Sequence, residues 1–316
     1  MSLTAIILAA GKSTRMKSRR PKPLHEVCGK PMLQWILDAC FQADVTRALV
    51  VVGQGKEEII ERFKSDRRIH FVEQTEQLGT GHAARVCEPL LRGHSGDVLL
   101  LAGDTPLIRG EILRTLLQAH HDDRAAASMA TAILDDPTGY GRVVRDGKGD
   151  FVEIVEQIDC TDPQREIREV FPSYYCVRTD DLLFAFSKLT NNNKKGEYYL
   201  TDIYAILKKA GKKVIAVQAV TPEDVIAPNT RRQLAEADAA MQDRIQRTLR
   251  DEGVTIVSSF NSYIQADVAI GPDTVIEPFT FIGRQSTIGS DCVIGPFAYL
   301  PPGSIVPEGT RVSGNR

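Results

Sequence analysis

The sequence predicts an α/β fold with a mixed, mainly parallel sheet, followed by a short hexapeptide-repeat β-helix. Three observations carry that prediction. Up to about residue 228, short unbroken apolar runs alternate with amphipathic stretches. A single capped helix follows at 229–252. Beyond it, aliphatic residues recur at every sixth position without a slip.

The runs at 5–8 (AIIL), 48–52 (ALVVV) and 98–101 (VLLL) are apolar at successive positions, as strands covered on both faces must be. A short strand is expected at 70–72, and helices at 32–42, 57–63, 81–91 and 111–120. In such open sheets, ligands bind outside the carboxyl ends of the strands. Between about 130 and 220 strands dominate (TAIL, YGRVVR, FVEIVE, YYCV), with a helix near 202–210. They are expected to add a sheet edge and a lid around the same cleft.

In the segment 229–252, Leu234, Met241, Ile245 and Leu249 share one helical face. Thr230 and Gln233 form a capping box at its start, and Gly253 ends it. The six-residue anchors are Ile270, Ile276, Ile282, Ile288, Ile294, Leu300, Val306 and Val312. Small residues sit four after the anchors, among them Thr274, Thr280, Ser286, Cys292 and Ala298. This is the pattern of a parallel β-helix with an internal aliphatic ladder. So short an array exposes its terminal face, and association as a homotrimer is the expected remedy. The expected organisation is a domain over 1–228, a connecting helix over 229–252 and the repeat over 253–316.

With 39 basic and 41 acidic residues, the net charge is −2, which argues against nucleic-acid binding through a broad basic face. The six cysteines are scattered with no CxxC pair, as in a reduced, cytoplasmic protein. MSLTAIILAAG lacks the basic start of a signal peptide, and no apolar run approaches membrane-spanning length.

Against that balance, Lys12, Arg15, Lys17, Arg19, Arg20 and Lys22 are concentrated in one loop after the first strand. A P-loop would need glycine where Ile6 stands, and a dinucleotide fingerprint would need glycine at Ser13 and Met16; both fail. A turn in which Gly11 lets the backbone approach a phosphate chain fits instead, with Thr14-Arg15 and then Pro21-Lys22 following.

LAAGxxTRM…PKxL at 8–24 resembles the signature of sugar-1-phosphate nucleotidyltransferases. EQLGTGHA (76–83), GDTPLI (103–108), DDPTGYGR (135–142), IVEQIDCTDPQR (154–165), LTNNNKKGEYYLTDI (189–203) and GVTI (253–256) follow in order. Together they are similar to the uridyltransferase half of the bifunctional N-acetylglucosamine-1-phosphate uridyltransferase/glucosamine-1-phosphate acetyltransferase family. The resemblance implies a Rossmann-like nucleotidyltransferase domain and a left-handed β-helix that forms trimers. It implies transfer of UMP from UTP to N-acetylglucosamine-1-phosphate with Mg²⁺, supplying a cell-wall precursor. It further implies that Leu8, Ala9, Ala10, Gly11 and Gly103 hold the nucleotide, and that Arg15 and Lys22 neutralise its triphosphate. Gln74, with Gly79 and Thr80, would read the uracil. Asp104 and Asn229 would bind Mg²⁺, and Gly141, Glu156, Glu197 and Tyr199 would contact the sugar.

Departures from the family fall mainly on the sugar side. Phe171, Pro172 and Ser173 stand where it has an Asn-(Thr/Ser/Ala)-Gly triplet whose Asn bonds the sugar, and Ala102 replaces a frequent Tyr. Another hexose-1-phosphate, or dTTP in place of UTP, therefore stays open, as does a silent sugar-nucleotide-sensing subunit. Because the sequence ends at Arg316, no acetyltransferase site is expected. An isolated Asn229 reads equally as a helix cap. The histidines lack metal-ligand spacing, and His120 and His121 are expected to diverge around a helix.

Overall fold

The computed structural model describes residues 2–11 and 14–314; Lys12 and Ser13 of the basic loop, and the terminal Arg316, lie outside them. The chain divides into two compact units. One comprises residues up to Leu24 with Leu33–Ala227, the other His25–Met32 with Pro228–Arg316.

The first unit is built on a nine-stranded sheet of β1 (Ser2–Leu8), β2 (Arg47–Val52), β3 (Ile69–Glu73), β4 (Gly96–Ala102), β5 (Ala127–Ile133), β6 (Gly141–Arg145), β7 (Phe151–Val155), β8 (Glu169–Arg178) and β9 (Val214–Gln218). Its main order is β9-β5-β8-β4-β1-β2-β3, with the β6–β7 pair joined to β8. Strand β1 pairs in parallel with β2 and β4, β2 with β3, and β9 with β5. Strand β8 is reversed, lying antiparallel between β4 and β5. Its beginning therefore reaches the same edge of the sheet as the ends of β1 to β4.

Alternate residues of the central strands serve two cores, because successive strand side chains point to opposite faces. Ala5, Ile7, Val50, Leu99 and Leu101 pack with α1 (Met32–Gln42), α2 (Lys56–Phe63) and α5 (Gly110–Asp122). Ile6, Leu49, Val51, Val98 and Leu100 pack on the other face with α3 (Thr80–Arg85), α4 (Glu88–Leu91), α7 (Thr179–Phe186) and α8 (Asp202–Lys209). A short α6 (Asp162–Arg165) lies between β7 and β8. Each such buried aliphatic contributes about 1.5–3 kcal/mol. The single helix expected at 81–91 is two, α3 and α4, separated at Val86 and Cys87.

In the second unit three short parallel sheets fit a β-helix. Ile276 pairs with Ile294 and Ile294 with Val312, Ile282 with Leu300, and Ile270 with Ile288 and Ile288 with Val306. Each step spans three hexads. Asp267, Asp273, Phe279, Gln285, Asp291 and Phe297 turn the corners at φ between 56° and 62°. These left-handed positions also recur every six residues, but on residue types too varied to mark them in the sequence.

The connecting helix α9 (Arg231–Asp251) starts as expected: Thr230 Oγ1 accepts from Gln233 N at 3.2 Å. Its buried stripe differs from the expected one, because Gln242 and Gln246 are buried while Leu234 and Ile245 are only half-buried. The cause is an open strand edge. Gln242 receives a hydrogen bond from Ile264 N at 3.1 Å and donates to Ile264 O; Gln246 donates to Ser262 O at 3.1 Å. Two side-chain amides thus substitute for a neighbouring strand, satisfying backbone groups that burial would otherwise orphan. Segment 25–32 joins this unit through Cys28 N, which donates to Asp238 Oδ1 at 2.7 Å, and the Lys30–Asp267 ion pair at 2.5 Å.

His120 and His121 do not diverge. His121 Nε2 lies 2.6 Å from Asp97 Oδ2 and His120 Nε2 3.5 Å from Asp97 Oδ1, at the start of β4. Burial pushes the Asp97 carboxyl up, but the hydrogen bond from His121 and the closeness of His120 outweigh it and hold the group below its ordinary value. A depressed carboxylate stabilises the fold above the unfolded value of about 3.9, and that contribution is lost as pH falls through the folded value. Asp97→Asn should therefore be less stable than the parent at pH 7 and nearly equal to it near pH 2–3, read as urea midpoints across that range.

Candidate active site

Strands β1 to β4 run in one direction, so Leu8, Val52, Glu73 and Ala102 finish at one edge. The backbone is crowded there. Gly103 N donates to Leu8 O at 2.9 Å, and a Cβ on Gly103 would come 2.6 Å from that oxygen, so no larger residue fits. Gln77 Nε2 holds the Ala10 carbonyl at 2.7 Å. Ala9 and Ala10 are buried, whereas Gly11 is exposed, with nothing within 4 Å of where its Cβ would stand. Within the turn at 8–11, Gly11 is the exposed residue.

Lys22 and Asp104, 82 positions apart, form an ion pair beside this turn. Lys22 is 8% exposed; the Asp104 carboxylate is half-exposed, just past the end of β4. Pro21 and Pro23 restrict the backbone around the lysine, and Leu24 N closes the turn on Pro21 O at 3.0 Å. Arg15 lies on the exposed turn Thr14–Met16, which is anchored by buried Met16.

After β3, Gln74 is buried, and its Nε2 lies 3.3 Å from Gly79 O and 3.1 Å from His82 Nδ1. Gly79 has φ +107°, and a Cβ there would come 2.6 Å from Tyr198 O. The loop is clamped to the 193–200 segment by Gly81 N to Tyr198 O (2.7 Å) and Tyr198 N to Leu78 O (2.8 Å). Thr80 is not a helix cap; its hydroxyl accepts from Leu200 N at 3.1 Å. Both expected base-side and sugar-side segments therefore form one wall.

Among the residues expected on the sugar side, Glu156 accepts from Thr201 Oγ1 at 3.2 Å, and Gly141 lies close enough that a Cβ would come 3.9 Å from Glu156 Oε2. Burial raises the Glu156 carboxyl, with Asp159 adding to it against the hydrogen bond from Thr201 and the charge of Lys195. Burial and Glu156 likewise raise Asp202. Tyr199 has its hydroxyl buried without a hydrogen-bond partner among the described residues, facing the charges of Asp159, Glu156, Glu197 and Asp202. Asn193 braces Glu197 by accepting from its backbone N–H at 3.3 Å.

The departure at 171–173 has a structural form. Phe171 is buried, its ring edge-on to Tyr175 at 4.6 Å and to Tyr204 at 5.9 Å, while β8 pairs it with Gly141. Ser173 sits in a bulge of β8 at φ +68°, the backbone conformation that favours glycine.

Asn229 belongs to the second unit, one residue ahead of the Thr230 cap, and its backbone N–H donates to Gln233 Oε1 at 2.9 Å. No group of three or more His, Cys, Asp or Glu among the described residues makes a protein-only metal cage. A half-exposed carboxylate just past the end of β4 suits Mg²⁺, which keeps waters and takes substrate oxygens.

Residues 5–148 match the MobA-like NTP transferase domain. The chain is 42% identical over 279 residues to bifunctional protein GlmU of Clostridium perfringens, covering 88% of this chain and 61% of that one. It is 45% identical over 278 residues to GlmU of Geobacillus thermodenitrificans, covering 88% and 60%. Over most of its length the chain is similar to GlmU proteins. It spans about three-fifths of the length of these GlmU relatives. Its fold is that of a UDP-glucose pyrophosphorylase solved with UDP-glucose (TM-score 0.63, 18% identity, 77% of this chain and 100% of that one). It is also that of a Bacillus anthracis putative glucose-1-phosphate thymidylyltransferase solved with sucrose (TM-score 0.64, 18% identity, 75% and 94%).

Beyond the residues expected from sequence, Gln77, His82, Thr201 and Asp202 contact or adjoin the candidate site. Gln77 and His82 lie inside EQLGTGHA, and Thr201 and Asp202 inside GEYYLTD, so their segments were marked but their individual partners were not. The raised Glu156 carboxyl makes ionisation of this group costlier folded than unfolded. Stability is lost as pH rises through the carboxyl range, and Glu156→Gln, which keeps an acceptor for Thr201, should remove that loss. Its melting temperature should exceed the parent's at pH 7–8 and converge with it in acid, while affinity for the acceptor falls.

Proposed function

We propose that this chain transfers the uridylyl group of UTP to N-acetylglucosamine-1-phosphate, releasing pyrophosphate. The observation that carries the reading is the Lys22–Asp104 pair beside the turn 8–11 at the carboxyl ends of β1 and β4. It puts a mobile cation and a hard carboxylate at the place where a parallel sheet receives phosphates.

An oxygen of the sugar phosphate attacks the α-phosphorus of UTP in line, a new O–Pα bond forms, and the bond from Pα to the bridging oxygen breaks. The departing pyrophosphate carries off the electron pair. The attacking oxygen is already ionised, so no protein base is required. Catalysis is positioning and charge neutralisation. The Leu8–Gly11 backbone and Gly103 seat the nucleotide. Lys22 leaves Asp104 for the triphosphate oxygens, and Arg15 adds a fixed positive charge. Gln74, Gly79 and Thr80 face the uracil, and Gly141, Glu156, Glu197 and Tyr199 hold the sugar. When bound, Mg²⁺ supplies further neutralisation of phosphate charge; Asp104 would hold it, with Asn229 proposed as a second ligand on the sequence resemblance. Acetyl transfer is no part of this reading.

The coils of the second unit are proposed as a left-handed β-helix that assembles three copies of the chain. Stacked Phe279 and Phe297, and Tyr299 and Ile305, support this, being more than half exposed on a ladder of coils.

A second reading keeps the reaction and changes the acceptor to another hexose-1-phosphate. Buried Phe171, which offers no polar group beside Gly141, favours it.

Pyrophosphate release with UTP and Mg²⁺ against a panel of sugar-1-phosphates tests both. N-acetylglucosamine-1-phosphate should be the best acceptor; preference for another sugar moves the weight to the second reading. Lys22→Met should lower kcat/KM by about 10²-fold or more, and wild-type turnover in that variant would remove the lysine from the mechanism.

A further inference from the structure

The amide of Gln74 is locked in one orientation by two acceptors. Its terminal atom lies 3.3 Å from Gly79 O, and a carbonyl oxygen can only accept, so that atom is the nitrogen. The second amide hydrogen meets His82 Nδ1 at 3.1 Å, which must then offer a lone pair, leaving the ring proton on Nε2. Neither acceptor is loose. Gly79 O also receives Ala83 N at 3.0 Å in the first turn of α3, and the Gly79 backbone is pressed against Tyr198. The His82 ring lies 6.4 Å from the Tyr198 ring, which the Arg85 guanidinium covers at 4.7 Å. Both amide hydrogens are therefore spent inside the protein. Gln74 Oε1 receives no hydrogen bond from any described residue.

We propose that His82 is a positioning residue that sets base specificity: by fixing the Gln74 amide, it makes the base site a hydrogen-bond acceptor. Uracil and thymine carry a donor, N3–H, on the edge such an acceptor reads. Cytosine carries a lone pair on the same atom, so two acceptors would face each other. A site built around one donor–acceptor match rejects the mismatched ligand strongly, because buried groups are left unpaired. His82 does not itself touch the base. The inference rests on the proposal that Gln74 faces the base, and its test must fail separately from that proposal.

The test is the affinity of the full chain for UTP and CTP by calorimetry, which needs no knowledge of the acceptor, with kcat and KM where turnover is seen. The parent should favour UTP by about 10²-fold or more. His82→Phe, which keeps a ring but removes the acceptor, should lower the UTP:CTP ratio at least about 10-fold, through weaker UTP binding or KM with little change in kcat. His82→Ala serves the same purpose if the larger ring disturbs the fold. His82→Asn, whose Oδ1 can take the place of Nδ1, should restore the ratio. Gln74→Leu is the control. If it collapses the ratio while the His82 variants lose UTP and CTP affinity equally or not at all, His82 has only a structural role. If Gln74→Leu leaves the ratio unchanged, the placing of Gln74 on the base fails first and takes the inference with it. Equal binding of UTP and CTP by the parent overturns the acceptor-only site directly.

Discussion

A buried ammonium must have a partner, and the Lys22–Asp104 pair is the constraint on which the candidate site at the ends of β1 and β4 depends. Lys22 is almost inaccessible, and breaking such a pair from one side leaves an uncompensated charge, commonly at a cost of about 3–5 kcal/mol. The pair ties the basic loop to the end of β4, across a gap in sequence that no local preference bridges. Asp104 pairs with Lys22, the buried cation of the segment, while Arg15, Arg19 and Arg20 are exposed. A triphosphate and its cation can then replace each partner for the other without either charge being left alone.

Buried amides recur as the device that settles geometry elsewhere. In the second unit Gln242 and Gln246 hold the backbone of the first coil as a strand would. In the first unit Gln74 spends both hydrogens on Gly79 and His82, and Gln77 pins the Ala10 carbonyl under the phosphate turn. An amide offers both a donor and an acceptor without charge, so burial costs little where both are matched, as in Gln242; Gln74 leaves its oxygen unmatched among the described residues. The acceptor side is built differently. Burial raises both Glu156 and Asp202, with Glu156 adding to the second, and Tyr199 has a buried, unmatched hydroxyl. Where buried polar groups stay imperfectly satisfied, a polar ligand has something to gain by binding, and a sugar with several hydroxyls is chemically suited to that environment.

Much of this was legible in the sequence because it is local. Apolar runs such as VLLL mark doubly covered strands, and six-residue spacing marks coils, since in each case the pattern repeats within a few residues. The Thr230–Gln233 cap was equally visible. What escaped depends on distant partners. Nothing in EVFPSYYCVR says that β8 runs against its neighbours, which is decided by the space left between β4 and β5. Segment 25–32 looks like part of the first unit until Asp238 and Asp267 claim it. Adjacent His120 and His121 were expected to diverge, but the end of α5 lets both reach Asp97. For the candidate site, motif strings marked whole segments, while the orientation of Gln74 and the contact of Thr80 with Leu200 emerged only from the fold.

The central claim is that Asp104 exchanges Lys22 for a hard cation when the triphosphate binds. The most direct measurement is UTP affinity by calorimetry with and without Mg²⁺, in the parent and in Asp104→Asn. The account predicts that Mg²⁺ strengthens binding in the parent and that Asp104→Asn loses most of this dependence. Undiminished Mg²⁺ dependence in the variant would contradict it.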